Sequence, residues 1–280
     1  MKPKLSRFAG GLRVGADFFS RRDALAKNAD QTPPRGVVDR MADLANPRLD
    51  VARVHPAVAV FFEDTASLDL RIRSRWRFPF SIAWWLARPI LRWIGQLTLP
   101  RERAHIATKV FALDPKRDGR ADVRAVVREY VDGSAVMQVV AYATWERAGT
   151  RYMSAAFPLP GGHIMGILRL DAIGEDAEGR LAVALTSTKH DGDDAGIWYA
   201  LGSGGFALPM PLGERLALWA PEMECAPKDL DADVRAGATI VGRHEQRLFG
   251  VRVVTHDYGF RPLASEESTP AADRAPPPRT

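Results

Sequence analysis

Between residues 105 and 260 the chain repeats one pattern, short runs of apolar and β-branched residues separated by tight polar turns. The candidate strands are 105–113, 123–131, 135–146, 151–157, 163–171, 181–189, 196–201, 238–247 and 249–260. Turns such as Lys116-Arg117-Asp118-Gly119, Asp132-Gly133 and Glu178-Gly179 join them. Parallel neighbours need crossovers of about a dozen residues or more, and most of these gaps have no room for one, so the strands are expected to pair antiparallel. One later helix is expected over Leu212–Trp219, just after Pro209 and Pro211. Several runs are apolar on both faces. In 135–146, Val136, Val140 and Tyr142 lie opposite Met137, Val139 and Trp145, so the second face needs a cover or a ligand.

Upstream of these strands the period changes twice. Pro56 suits the first position of a short helix over 55–64 that puts Val58, Phe61 and Phe62 on one face. Leu68, Leu70, Ile72 and Trp76 then alternate with Asp69, Arg71, Arg73, Arg75 and Arg77, which is the period of a strand. After Pro79, residues Ile82, Trp85, Leu86, Ile90, Trp93, Ile94 and Leu97 follow helical spacing, with Ser81 as a possible cap and Pro89 as a kink. The expected class is α+β: short N-terminal helices followed by a large curved antiparallel β-sheet or partial barrel.

The domain boundaries follow from the same patterns. Residues 1–52 read as a loosely packed lead-in, and 53–263 as a single β-rich domain. The stretch 264–280 reads as a disordered tail, because it has four prolines and no aromatic or large aliphatic residue. A hydrophobic share of 46% and a charged share of 26% fit a globular chain. Cys225 is the lone cysteine and cannot form an internal disulfide. Arg13 interrupts any N-terminal apolar core, and the longest uncharged run, 195–213, is broken by glycines and prolines. A cytoplasmic location is expected, with possible attachment at the membrane periphery.

Chemistry-bearing motifs are sparse. Gly202-Ser203-Gly204-Gly205-Phe206-Ala207 matches the glycine spacing of a dinucleotide turn, but Pro209 and Pro211 follow where its helix should start. The histidines at 55, 105, 163, 190, 244 and 256 have no metal-site spacing. His190-Asp191-Gly192-Asp193-Asp194 lacks the closing acid of a calcium loop. No nucleophile elbow is present, and Glu63/Asp64, Asp171/Glu175 and Glu222/Glu224 read as exposed charges. No metal or cofactor is therefore expected, and the reading leans away from an enzyme. His244 and His256 fall in the last two strands, where they could face a cavity and serve either a ligand or an acid–base step.

One segment stands apart. Residues 71–103 hold eight arginines against Glu102 alone, a net charge of +7, and four of the seven tryptophans. Guanidinium groups pair with phosphate or carboxylate, and tryptophan favours boundaries between apolar and wet surroundings. Arg71, Arg73, Arg75, Arg77, Trp84, Trp85, Arg88, Arg92 and Trp93, with His244 and His256, are the expected contacts of a lipid-like acidic ligand. The expected function is non-catalytic binding of that ligand in a cavity between sheet and Trp-rich helix. The alternatives are a peripheral membrane adaptor using 71–97 and an enzyme with a cavity histidine. No nucleic-acid motif supports a third kind of partner, and the sequence names no protein partner.

Four pieces resemble an uncharacterised family of bacterial domains of unknown function. They are His55-Pro56 with Phe61-Phe62-Glu63-Asp64-Thr65, Gln96-Leu97-Thr98-Leu99-Pro100, Phe157-Pro158-Leu159-Pro160-Gly161-Gly162, and Leu248-Phe249-Gly250. The resemblance covers about 54–262 and implies a compact β-rich domain, with no catalytic or ligand residue to carry over.

Overall fold

The alternation at 68–76 forms a strand in the computed structural model, which describes residues 5–27, 32–189, 193–202 and 205–263. This strand, β1 (Leu68–Trp76), pairs antiparallel with β2 (Arg103–Ala112) on one side. Along the chain follow β3 (Arg124–Tyr130), β4 (Val136–Arg147), β5 (Thr150–Leu159), β6 (Gly162–Glu175) and β7 (Leu181–Thr186). After them come β8 (Gly196–Leu201), β9 (Phe206–Pro209), β10 (Leu212–Trp219), β11 (Ile240–Leu248) and β12 (Val251–Pro262). Each wall strand hydrogen-bonds two neighbours in the order β1-β2-β3-β4-β5-β6-β7-β10-β11-β12, and β12 returns to β1 through a nine-residue register. The expected curved sheet is thus a closed ten-strand barrel. β6 is long enough to pair β5 and β8 along its first half and β7 along its second, so β8 and β9 extend from the wall as a flap.

Two expectations fail locally. Leu212–Trp219 is strand β10, not a helix, and it is paired on both edges by β7 and β11. Its Leu216 and Leu218 point into the barrel while Ala217 and Trp219 pack under an outer layer that includes Met223, Ala226 and Leu230, and apolar residues on both faces hid the period of two. β9, with Pro209 at its end, went unrecognised. The proposed tail 264–280, His190, Asp191, Gly192, Ser203 and Gly204 lie outside the described residues.

The lead-in has little regular structure but is not loose. Phe8, Phe18 and Phe19 form edge-to-face pairs 5.0–6.3 Å apart and cover the outer face of β3–β5 at Ala125, Val127, Val139 and Ala141. A buried ion pair anchors this layer. Ser6 Oγ donates to Asp118 Oδ2 (2.6 Å), and Arg120 donates to both Asp118 oxygens, to Ser154 Oγ and to the Ala141 carbonyl. Val37, Val38, Met41 and Leu44 turn instead to one end of the barrel. There they meet α1 (Pro56–Glu63), whose first turn is capped by His55 Nδ1 accepting from the Ala57 amide. Phe61 stacks edge-on against Phe62 and Phe260, and Leu68, Leu70, Ile72, Leu218 and Ile240 complete a dry plug.

The opposite end is roofed by α2 (Phe80–Ile94) and the segment behind it. α2 starts after Pro79, so Ser81 lies inside the helix, not at its cap. It ends at Gly95, whose φ of 72° and close approach to Gly15, where an added Cβ would lie 2.9 Å from the amide nitrogen, leave no room for a side chain. The chain then crosses the barrel mouth. Gln96 bridges the Val139 and Pro158 carbonyls, Tyr130 Oη donates to the Thr98 carbonyl, and Trp76 Nε1 donates to the Pro100 carbonyl.

Candidate functional site

Register fixes which residues enter the lumen. Leu70, Ile72, Ser74 and Trp76 of β1 stand opposite Phe260, Tyr258, His256 and Val254 of β12, and all face inward. Carried around the wall, the same parity turns in Thr108 and Arg128, then Tyr142, and on the far side Glu214, Leu216, His244 and Gln246. The lumen is therefore layered. Above the plug lies a polar belt, and above the belt the roof of Trp76, Trp84 and residues 96–100. Thr108, Tyr142, Glu214, Leu216, His244 and Gln246 are only partly buried although they point into the barrel, so side chains do not fill this level. Ten strands enclose a wider interior than the eight that side chains alone can fill.

Within the belt, three side chains from three strands form a chain. His244 Nε2 lies 3.3 Å from Glu214 Oε2, and His244 Nδ1 lies 3.1 Å from Tyr258 Oη. With Glu214 ionised, the Nε2 proton faces the carboxylate and Nδ1 accepts from the phenol. Gly166 makes room for Glu214, since a Cβ there would come within 3.0 Å of Oε1. His256 is fully buried, stacks parallel to Tyr258 and lies 2.7 Å through Nδ1 from Ser74 Oγ, while its Nε2 has no hydrogen-bond partner. Burial, reinforced by the repulsion of His244 when that ring is protonated, pulls its pKa down to about 3, so it is neutral at physiological pH. Burial likewise pushes the Tyr142 and Tyr258 phenols above their usual range, and the positive charge of Arg128 opposes this at both.

Arg128 is the unusual member. The residue is 6% exposed, its buried Nε has no hydrogen-bond partner, and among the described residues no carboxylate lies within ion-pairing distance. Glu214, which acts on the same two tyrosines, is engaged by His244. An arginine in such surroundings is costly unless an anion meets it.

The residues expected from sequence divide into three groups. His244 and His256 are in the lumen, with ring centres 5.9 Å apart. Arg71, Arg73, Arg75 and Arg77 alternate as expected, but on the outer face of β1, so the structure does not bring them to the histidines. Arg71 pairs with Asp69, Arg73 with Glu102 and Asp231, and Arg75 with the fully buried Asp257, which also accepts from Arg243. Trp84 is buried against Trp76 in the roof, with Arg88 over its ring, whereas Trp85, Arg92 and Trp93 are exposed. Arg73, Arg75, Trp84 and Trp85 do share a surface cleft of about 540 Å³ beside Arg101.

Arg128, Tyr142, Glu214 and Tyr258 were missed as site residues. Glu214 was hidden by the helical reading of β10. Arg128 shares its parity with Val126, while Ala125 and Val127 on the other face are equally apolar, so the strand gave no sign of which side was inside. Among the described residues no three His, Cys, Asp or Glu side chains could hold a metal ion, and no helix is long and apolar enough to cross a membrane. No family model, curated protein or solved structure matches the chain, so the belt has to be read through its own chemistry.

Proposed function

We propose that the barrel binds an amphipathic acid, with its carboxylate or phosphate head at Arg128 and its apolar part along the partly buried Leu216 and Phe157. The observation that carries this reading is Arg128, a buried residue with an unbonded Nε and, among the described residues, no carboxylate partner, at a level of the lumen where inward side chains are only partly buried. The Tyr142 hydroxyl, kept protonated by burial, adds a donor beside it. Neutral His256 offers a further polar edge through Nε2. Sites of this kind bury an apolar body and orient it with a few convergent polar groups.

The test compares palmitate with hexadecanol, which share a chain length and differ in charge, by calorimetry and native mass spectrometry. Tighter binding of the acid, with the preference lost in Arg128→Gln, is expected. Equal affinity for acid and alcohol, or no binding of either, overturns the reading. The Glu214, His244 and Tyr258 chain favours one second reading, an acid–base relay in which Tyr258 passes its proton to His244 as it takes one from the ligand, so that the phenol stays protonated and the imidazolium faces Glu214. That reading requires a ligand chemically altered on incubation with the wild type and unaltered with His244→Gln.

A further inference from the structure

We propose that the outward face of α2 docks this protein on an anionic lipid bilayer. The helix is turned the opposite way from an ordinary amphipathic surface helix, whose apolar stripe faces the core. Only Trp84 is buried, while Ile82, Trp85, Leu86, Ile90 and Trp93 are 51–61% exposed. These five fall at helical spacing along a rod about 22 Å long, and Phe78, 80% exposed, extends the face at its start.

Neighbouring elements lengthen the strip at both ends. At one end Arg13 Nε donates to the Trp93 carbonyl, placing the exposed Leu12 beside the end of the helix. At the other, the Arg77 amide bonds the Val253 carbonyl, so Phe78 lies next to the β11–β12 turn with its exposed Phe249 and Val251. Phe249 occupies a left-handed conformation, φ 49°, where a hairpin turn favours Asn or Gly. A bulky aromatic held at a strained, solvent-facing tip adds nothing to the fold, but it suits insertion among lipid chains.

Charge selects the bilayer over the other occupants. From 71 to 101 there is no Asp or Glu. The arginines of the outer β1 face are tied to carboxylates at Arg71, Arg73 and Arg75. Among the described residues none of Arg13, Arg77, Arg88, Arg92 and Arg101 forms an ion pair, and these are the arginines that border the apolar strip. Asp132, across from Arg92, is the acidic neighbour on that side. A second copy of the chain would bring two strongly basic segments together, whereas anionic headgroups would neutralise them. Aromatic and aliphatic residues on one face with arginines alongside are the composition of a helix lying in the interface plane.

The experiment is vesicle flotation of the full chain with phosphatidylcholine alone and with added phosphatidylglycerol, no fatty acid present. Binding should require the anionic lipid and weaken with salt. Trp85→Ser with Leu86→Ser should weaken it about tenfold or more. Arg88→Gln with Arg92→Gln should reduce the anionic preference by roughly fivefold per arginine. All four positions are at least partly exposed, and an unchanged melting curve confirms that each variant folds. Indifference to phosphatidylglycerol, or wild-type binding by the Trp85/Leu86 variant, overturns the proposal. So does a lipid-free dimer that this variant converts to monomer. Palmitate binding in the lumen is read separately, so a failure here leaves that assignment standing.

Discussion

Replacing Arg128 by Met should stabilise the ligand-free protein. The residue is 6% exposed, its Nε is buried and unbonded, and among the described residues no carboxylate lies close enough to pair with it. Folding therefore takes most of this residue, Nε included, out of water without returning an ion pair among the described residues. Exchanging buried charged groups for apolar ones of similar volume commonly gains about 1–4 kcal/mol. Glu214 offsets part of the cost at longer range, so the lower half of that interval applies. At roughly 2–4 °C per kcal/mol for a domain of this size, the melting temperature should rise by about 2–10 °C. Ligand should reverse the ranking. At a hundredfold excess over Kd, a bound acid adds about 2.7 kcal/mol to the wild type, while the Met variant, having lost the anchor, gains far less. Differential scanning calorimetry of both proteins, with and without palmitate, measures all four values. A ligand-free Met variant that melts below the wild type would show that Arg128 is satisfied within the fold, and the anion-site argument would fail with it.

Further predictions test the roof, the lead-in and acid sensitivity. Trp84→Ala should cost about 3–5 kcal/mol in urea denaturation, because Trp84 is buried against Trp76. Trp85→Ala, one residue on and 61% exposed, should stay within about 0.5 kcal/mol of wild type, and equal losses would refute the helix orientation. Asp118→Asn leaves Arg120 buried without its counter-charge and should cost about 3–5 kcal/mol, read as a lower denaturation midpoint. Two buried histidines set the acid limb. Burial, aided by neighbouring positive charge, holds His256 down to about 3 and His163 down to about 4. The unfolded chain begins to take up these protons near pH 6.5, so stability is full above that pH and falls below it, by about 1.4 kcal/mol per pH unit for each histidine. His163→Leu should remove one such contribution between about pH 6 and pH 4, measured as a flatter dependence of unfolding free energy on pH.

Much of the fold could be read from residue order, and the limits have physical causes. Alternation at 68–76 and the run of short strands reveal antiparallel pairing, since most of the connections are too short for a parallel crossover. Closure is invisible in the same pattern, because a wall strand looks alike whether or not the sheet's edges meet. Closure also makes both faces matter. Phe18 and Phe19 cover β3–β5 from outside, so Val126 and Val127 are equally buried and their strand shows no parity. That is why Arg128 escaped notice while the outer-face arginines of β1 drew it. The α2 stripe was correctly located from Ile82 to Ile94, with Leu97 falling past the helix end, but periodicity defines a face without saying what it meets, and the tryptophan outside the stripe is the one that packs. His244 and His256 were legible only as histidines in the last two strands that could face a cavity, whereas their juxtaposition and their partners Glu214 and Tyr258 came with the register.

The pairing of β1 with β12 has a consequence for how the chain reaches this state. Ser74 and His256 face each other across that seam although 182 residues separate them in sequence. On a ribosome, β1 emerges early with one edge unpartnered, and β2 can satisfy only the other. The seam must wait until β12 is made, and Phe61 cannot settle against Phe260 before then. Contacts so distant make assembly slow and leave a sticky strand edge in the interim. Arg71, Arg73 and Arg75 stand on that waiting strand with Arg77 just past its end, and four like charges oppose its pairing with another nascent chain.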